Sequence, residues 1–215
     1  MTDFAAARRN MVDGQVRTAD VTDRRLLAAL LEVPREQFVA PALAGLAYLD
    51  LDVPVREGSS RRLLKPMVLA KLIQALDLAP TDRVLDVGCL GGYGTALLAR
   101  LAGQVLALEQ EEGLVNAAAL SALPNVTVVT APLSEGFAAG GPYDAILVEG
   151  AAEMPPHSLC RQLKNEGRLA CVLGSGPAAK AMLYRRSGEE IGGRPIFDAA
   201  APVLPGYERP PAFAF

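Results

Sequence analysis

From about residue 80 onward, short apolar runs of strand length alternate with segments of helical pattern, and that alternation constrains the chain more than any other feature. A strand followed by a helix and then by another strand builds βαβ units, hence a mostly parallel sheet with helices against its faces. The pattern predicts strands over 83–87, 104–108, 126–130, 145–148 and 168–173, with helices over 92–101, 112–123 and 157–163 between them. The end of the chain breaks this rhythm. AMLYRR at 181–186, the glycine-punctuated SGEEIGG and the run RPIFDAA read as a hairpin, so an antiparallel pair is expected to close the sheet. The fold class that follows is α/β, a mostly parallel sheet with a C-terminal antiparallel hairpin.

The first 50 residues are helical in pattern, with Leu26, Leu27, Leu30 and Leu31 on one apolar stripe behind a Thr22 cap. LDLDVPVREGSSRRLLKP follows as an irregular connector. The expected organisation is an N-terminal helical extension over 1–78 and a sheet domain over 79–215, joined as one globular unit, since 215 residues suffice for one well-buried core. With 51% hydrophobic and 21% charged residues the chain is no disordered segment. It contains no run near the roughly 18 apolar residues of a membrane span, so no membrane partner is expected. Its start, MTDFAAARRNMVDG, lacks the apolar core of a signal peptide, which points to the cytosol. The net charge of −3 gives no basic surface for nucleic acid; the nearest approach to a basic patch is Arg61, Arg62 and Lys65. Cys89, Cys160 and Cys171 lack the paired spacing of zinc sites and read as reduced thiols in or near the core. His157 is the single histidine, which argues against a metal centre of several imidazoles or a histidine-dependent triad. Behind Met154-Pro155-Pro156, it reads as the start of a surface helix.

Candidate chemistry gathers in DVGCLGGYG, residues 86–94, the turn after the first strand of the sheet. In open α/β sheets ligands bind at the carboxyl ends of strands, where backbone groups are free. Glycines in such a turn let a ligand approach the main chain and let the chain visit positive φ. Asp86 ends the first strand and Glu109 ends the next, where an acid can accept hydrogen bonds from both hydroxyls of a ribose. From Gly88 the sequence runs G-C-L-G-G-Y-G, which does not place glycines at the offsets of the dinucleotide fingerprint. An acid two residues before the first glycine suits S-adenosylmethionine, whose methionine end is cationic and which has no pyrophosphate. The candidate cofactor-binding set is Asp86, Gly88, Cys89, Leu90, Gly92 and Glu109. The plainer alternatives are that the glycines serve the geometry of the turn alone, and that Glu109 is a solvated member of the acidic run EQEE.

The wider sequence resembles the protein-L-isoaspartate O-methyltransferase family over nearly its whole length. MVDGQVR, LLAALLEVPREQFVAPAL and AYLDLDVPV look like that family's leading segment, and KPMVLAKLIQAL, RVLDVGC, VLALE, NVTVV, YDAILVEGAA and LKNEGRLACVLG follow its order and spacing. The N-terminal blocks are the specific part of the likeness. The resemblance implies a seven-stranded methyltransferase sheet of Rossmann-like build, S-adenosylmethionine as methyl donor, and damaged aspartyl carboxylates in proteins or peptides as acceptors, a protein-repair activity.

Residue by residue, Asp86, Gly88 and Gly92 match the family's acid-x-G-x-G-x-G turn, while Leu90 replaces the middle glycine and Gly91 offers a way to shift the turn. The family's acceptor-site serine, aligned on Pro66, falls on Leu64, whose side chain cannot hydrogen-bond a carboxylate. The aspartate that reaches the adenine amine in the family falls on Pro132. Glu149 ends the fourth strand, where a charged carboxylate would repel a carboxylate acceptor unless turned to solvent or protonated. Three readings stay open: the family's own reaction, a methyltransferase with a neutral or cationic acceptor, and a non-enzymatic relative acting as a binding module. At the C-terminus, Phe213 and Phe215 are expected to dock onto the core.

Overall fold

The computed structural model describes residues 2–210; Phe213 and Phe215 lie outside them. In chain order the regular elements begin with helices α1 (Phe4–Met11) and α2 (Arg24–Glu32), a two-stranded ladder β1 (Val53–Pro54) and β2 (Arg62–Leu63), and helix α3 (Pro66–Ala75). Then come β3 (Arg83–Val87), α4 (Tyr93–Leu101), β4 (Gln104–Glu109), α5 (Ala117–Ser121), β5 (Val126–Thr130), β6 (Tyr143–Ala152), α6 (His157–Cys160), β7 (Leu163–Leu173), β8 (Lys180–Ser187) and β9 (Glu190–Asp198). The last seven strands form one sheet in the order β5-β4-β3-β6-β7-β8-β9. The first five of these in space run parallel, and β8 and β9 are antiparallel to their neighbours, as the alternation and the terminal hairpin pattern predict.

Local chemistry explains where the elements differ from the sequence reading. Helix α2 is capped by Asp23, whose carboxylate accepts from the Arg25 and Leu26 amides at 2.8 and 3.2 Å, and not by Thr22, whose amide donates to the Gln74 side chain at 2.7 Å. A carboxylate at this position caps the free amides and also opposes the positive end of the helix dipole. Leu26, Leu27 and Leu30 are buried, while Leu31 is turned outward. The helix expected over 112–123 shrinks to Ala117–Ser121: Gly113 takes a φ of +77°, and the Asn116 side chain caps the helix from the Ala119 amide at 3.1 Å. Likewise, α6 stops at Cys160 because the chain re-enters the sheet at Leu163. His157 opens that short helix and is exposed. The connector is not wholly irregular either, since Val53 pairs with Leu63 and Pro54 with Arg62.

After β3 the chain winds outward through β4 to β5, then crosses back to add β6 on the other side of β3. The reversal makes the tips of β3 and β6 a topological switch point, where the loops diverge. Strand alternation sends Leu85, Val87, Leu106, Leu108, Ile146 and Val148 into one apolar cluster with Leu159 and Cys160 of α6. Val84, Val105, Ala145 and Leu147 point to the opposite face, into a second cluster with α2, α3 and α4. Residues of the N-terminal segment from Met11 to Val55 belong to that second cluster, so extension and sheet bury apolar surface against each other. All three cysteines are buried and unpaired. Among the described residues no helix is long and apolar enough to cross a membrane.

A shared core predicts shared unfolding. Leu30 is 1% exposed, so Leu30→Ala should cost about 3 kcal/mol and lower Tm by roughly 6–12 °C. Calorimetry should show one cooperative transition moving as a whole; a separate early transition with the main peak unmoved would show that the extension unfolds on its own.

Candidate active site at the strand tips

The register of the sheet brings three acids to one place. Asp86 pairs with Ala107 on one side and Leu147 on the other. Glu109 and Glu149 each lie two residues beyond those partners, so the period of two puts all three carboxylates on the α4 face of the sheet, at its carboxyl edge. None is solvated: Asp86, Glu149 and Glu109 are 0%, 1% and 2% exposed. The reading of Glu109 as a solvated residue, and of Glu149 as turned to solvent, are both excluded by this burial.

Buried carboxylates require compensation, and each acid meets that demand differently. Glu109 is saturated. Arg61 donates to it through both terminal nitrogens, Nη1 to Oε1 at 2.9 Å and Nη2 to Oε2 at 3.0 Å. The amides of Gln110 and Glu111 add bonds to Oε1, and that of Leu90 to Oε2 at 3.1 Å. Arg61 is therefore buried beside β4 and forms no surface patch with Arg62 and Lys65. Asp86 accepts a single bond, from Thr95 Oγ1 at 2.6 Å, and its Oδ1 has no partner. Neither oxygen of Glu149 has one.

The missing partner for these two acids is a proton. Burial raises the Asp86 carboxyl to about 7, with the Glu109 charge acting in the same sense and the Thr95 hydroxyl against it. Burial, then the charge of neighbouring Asp86, hold Glu149 well above the usual carboxylate range, although Arg35 and Arg61 pull the other way. The pair thus retains a proton at neutral pH and stands beside the first turn of α4: a Cβ at Gly94 would overlap Glu149 Oε1.

The glycine-rich turn is tied down by the sheet. Gly88 and Cys89 donate to the Leu108 carbonyl at 2.9 and 3.2 Å, and Gly92 closes the turn on the Cys89 carbonyl at 2.8 Å. Gly88 and Gly92 take φ of +77° and +95°. Leu90 takes +53° itself, so the left-handed position stays where the family has glycine and is not passed to Gly91. That conformation costs a leucine about 1–2 kcal/mol, which the complete burial of its side chain in the larger apolar cluster offsets.

Two arginines that the sequence reading did not assign to the site complete it. Arg35 is fully buried, donates to the carbonyls of Ala47 and Leu64 at 2.7 Å each, and lies over the Tyr93 ring at 4.8 Å. Leu64 spends its side chain in the core and presents its carbonyl to Arg35, so a serine placed there would bury its hydroxyl. Pro132 caps a short 3₁₀ turn, where the Gln110 side chain takes the Leu133 amide at 3.3 Å. Neither arginine carried a local signal, because each is joined to the site only by long-range contacts such as the 48-residue separation of Arg61 and Glu109.

Eight buried side-chain polar atoms lack a partner among the described residues, and six belong to Arg35, Arg61, Asp86, Tyr93 and Glu149. Native interiors seldom tolerate such a concentration without a polar ligand to meet it. Three of the six are carboxyl oxygens, of Asp86 and Glu149, which suits a ligand with a cationic part such as the methionyl end of S-adenosylmethionine; Arg35 Nη1 and Arg61 Nε are donors. The space beside them, bounded by Ser60, Arg61, Glu149, Pro202 and Leu204, is a cavity of about 150 Å³. A larger one, about 650 Å³, lies away from these tips, between Ala75, Asp77, Arg168, Leu183, Arg185 and Arg194. Its Arg168 is already committed to Asp82 and to the carbonyls of Leu76 and Asp77.

The family model described as protein-L-isoaspartate(D-aspartate) O-methyltransferase matches residues 6–195. A protein-L-isoaspartate O-methyltransferase of Roseiflexus sp. (strain RS-1) is 36% identical over 95% of this chain and 95% of its own length. One from Methylorubrum extorquens (strain PA1) is 40% identical, over 85% and 80%. A crystal structure of a putative member from Plasmodium falciparum, in complex with S-adenosyl-L-homocysteine, superposes with a TM-score of 0.74 at 20% identity, over 95% of this chain and 99% of that one.

The buried acid pair has a pH signature. The folded state keeps protons that the unfolded chain gives up near pH 4, so stability falls as pH rises toward and past 7, by up to about 1.4 kcal/mol per pH unit for each proton held. Glu149→Gln removes one of the two acids and supplies an amide donor to Asp86. Urea denaturation at pH 5 and pH 8 should show the variant losing less stability over that interval than the wild type; an equal or greater loss would mean that Glu149 holds no proton.

Proposed function

The chain belongs to the protein-L-isoaspartate(D-aspartate) O-methyltransferase family, and from that membership and the strand-tip site we infer that it transfers a methyl group from S-adenosylmethionine to a carboxylate of damaged aspartyl residues in proteins or peptides. The observation that carries this reading is the coincidence of the family match with three buried acids converging on the glycine-rich turn. Glu109 is the acceptor for the ribose hydroxyls, and Asp86 with Glu149 faces the cationic methionine part. Gly88, Cys89, Leu90 and Gly92 form the floor on which the ligand lies.

When bound, S-adenosylmethionine supplies a methyl group on a positively charged sulfur. An anionic acceptor needs no general base to attack it, so the protein's contribution is to align the acceptor and exclude water, an effect that can supply about 7 kcal/mol or more. A chain with one histidine, exposed at the start of α6, is compatible with that chemistry. Arg35 fixes the backbone at Ala47 and Leu64, and so holds the N-terminal segment against the site. The buried proton of the Asp86–Glu149 pair keeps Glu149 neutral, which removes the repulsion that would otherwise favour a neutral or cationic acceptor. The unpaired, buried thiols support a reducing compartment, the cytosol.

The test is methyl transfer to an isoaspartyl peptide beside its normal aspartyl control. Transfer to the first and not the second is expected, with Asp86→Asn lowering kcat/KM at least tenfold. Transfer to neither peptide would contradict the assignment.

A further inference from the structure

We propose that Arg61 is a built-in competitor for the donor ribose: its guanidinium holds the two Glu109 oxygens that a ribose diol would use, so donor binding must expel it. This rests on the donor reading of the site given above. Arg61 presents two parallel N–H donors to Oε1 and Oε2, and a ribose presents two vicinal hydroxyl donors to the same pair. With the amides of Leu90, Gln110 and Glu111 also bound, Glu109 already accepts five hydrogen bonds. A carboxylate offers about four lone-pair sites, so both sets of donors cannot be accommodated.

The same side chain fills the space that the first glycine of the turn leaves open. A Cβ added at Gly88 would lie 3.1 Å from Arg61 Nη2 and 3.1 Å from a Leu204 methyl. Leu204 is held there by its amide, which donates to the Ala151 carbonyl at 2.9 Å. What remains beside Glu149 is the cavity of about 150 Å³, against the roughly 300 Å³ or more of ordinary small-molecule sites.

The segment carrying Arg61 is built to move. Residues 56–58 and Ser60 are exposed, Gly58 turns at a φ of +73°, and the turn is closed by the two-residue pairing of β1 with β2, a long bond of 3.4 Å from the Val55 amide to the Arg61 carbonyl, and local bonds within 56–61. A second pair, Arg56 with Glu111, ties this turn to the end of β4, and it is exposed. Segments with few buried contacts open at low free-energy cost. Arg61 thereby sets donor affinity, because the apparent affinity is the intrinsic one multiplied by the fraction of molecules in which Glu109 is free.

Two measurements on the full chain, with S-adenosylhomocysteine as the probe, decide the matter. Titration calorimetry should find that Arg61→Gln, which cannot form the fork, binds about tenfold tighter than the wild type. Hydrogen exchange on the wild type should show amides of 88–92 slowed by the probe and those of 56–64 accelerated. Equal or weaker binding by the variant, or unchanged or slowed exchange at 56–64 while 88–92 is protected, overturns the competitor role and leaves the donor site standing. Absence of binding and of protection at 88–92 in both proteins at millimolar probe overturns the donor reading and the competitor together. If the variant fails to fold, the wild-type exchange pattern decides alone.

Discussion

Three carboxylates buried side by side at the tips of neighbouring parallel strands form the constraint around which this protein is built. Charge of one sign cannot be concentrated in an apolar interior without compensation. Glu109 obtains it from Arg61 and three backbone amides, Asp86 from the Thr95 hydroxyl, and Glu149 from a retained proton. The sheet itself fixes the gathering, since register and alternation leave these three side chains no other face.

The N-terminal extension answers that charge from outside the sheet. Arg35 and Arg61, both buried, lie in segments that precede the first strand of the sheet, and their partners include the Leu64 carbonyl and Glu109. Apolar residues from Met11 to Val55 share the larger core cluster with α3 and α4. The extension therefore acts as a structural cover whose cations are matched to the sheet's acids. Its apolar packing supplies the stability that two buried arginines would otherwise erode.

Much of the fold was legible because periodicity records it directly: a strand of five or six apolar residues, a turn and a helix leave distinct traces. Asp86 and Glu109 were legible because their places at strand ends follow from that periodicity. The helix over 112–123 was overextended because an alanine- and leucine-rich run hides the left-handed turn at Gly113. Arg61 read as part of a surface patch, since its partner lies 48 residues away in sequence. Arg35 left no trace for the same reason. Leu64 was legible as a missing hydroxyl, whereas its role as a core side chain with a tethered carbonyl emerges only from tertiary packing. Leu90 shows the opposite case, where a departure from glycine is absorbed by a leucine that adopts glycine's conformation and gains burial in return.

Burial holds protons on the acid pair, and a cationic donor draws one from Asp86 while Glu149 keeps its own. Titration of the wild type with S-adenosylmethionine near pH 6.5, in phosphate and in Bis-Tris, measures the protons exchanged through the difference in buffer ionisation heat. Net release approaching one proton per site is expected, and hence a binding heat that depends on the buffer. Binding with the same heat in both buffers would contradict it.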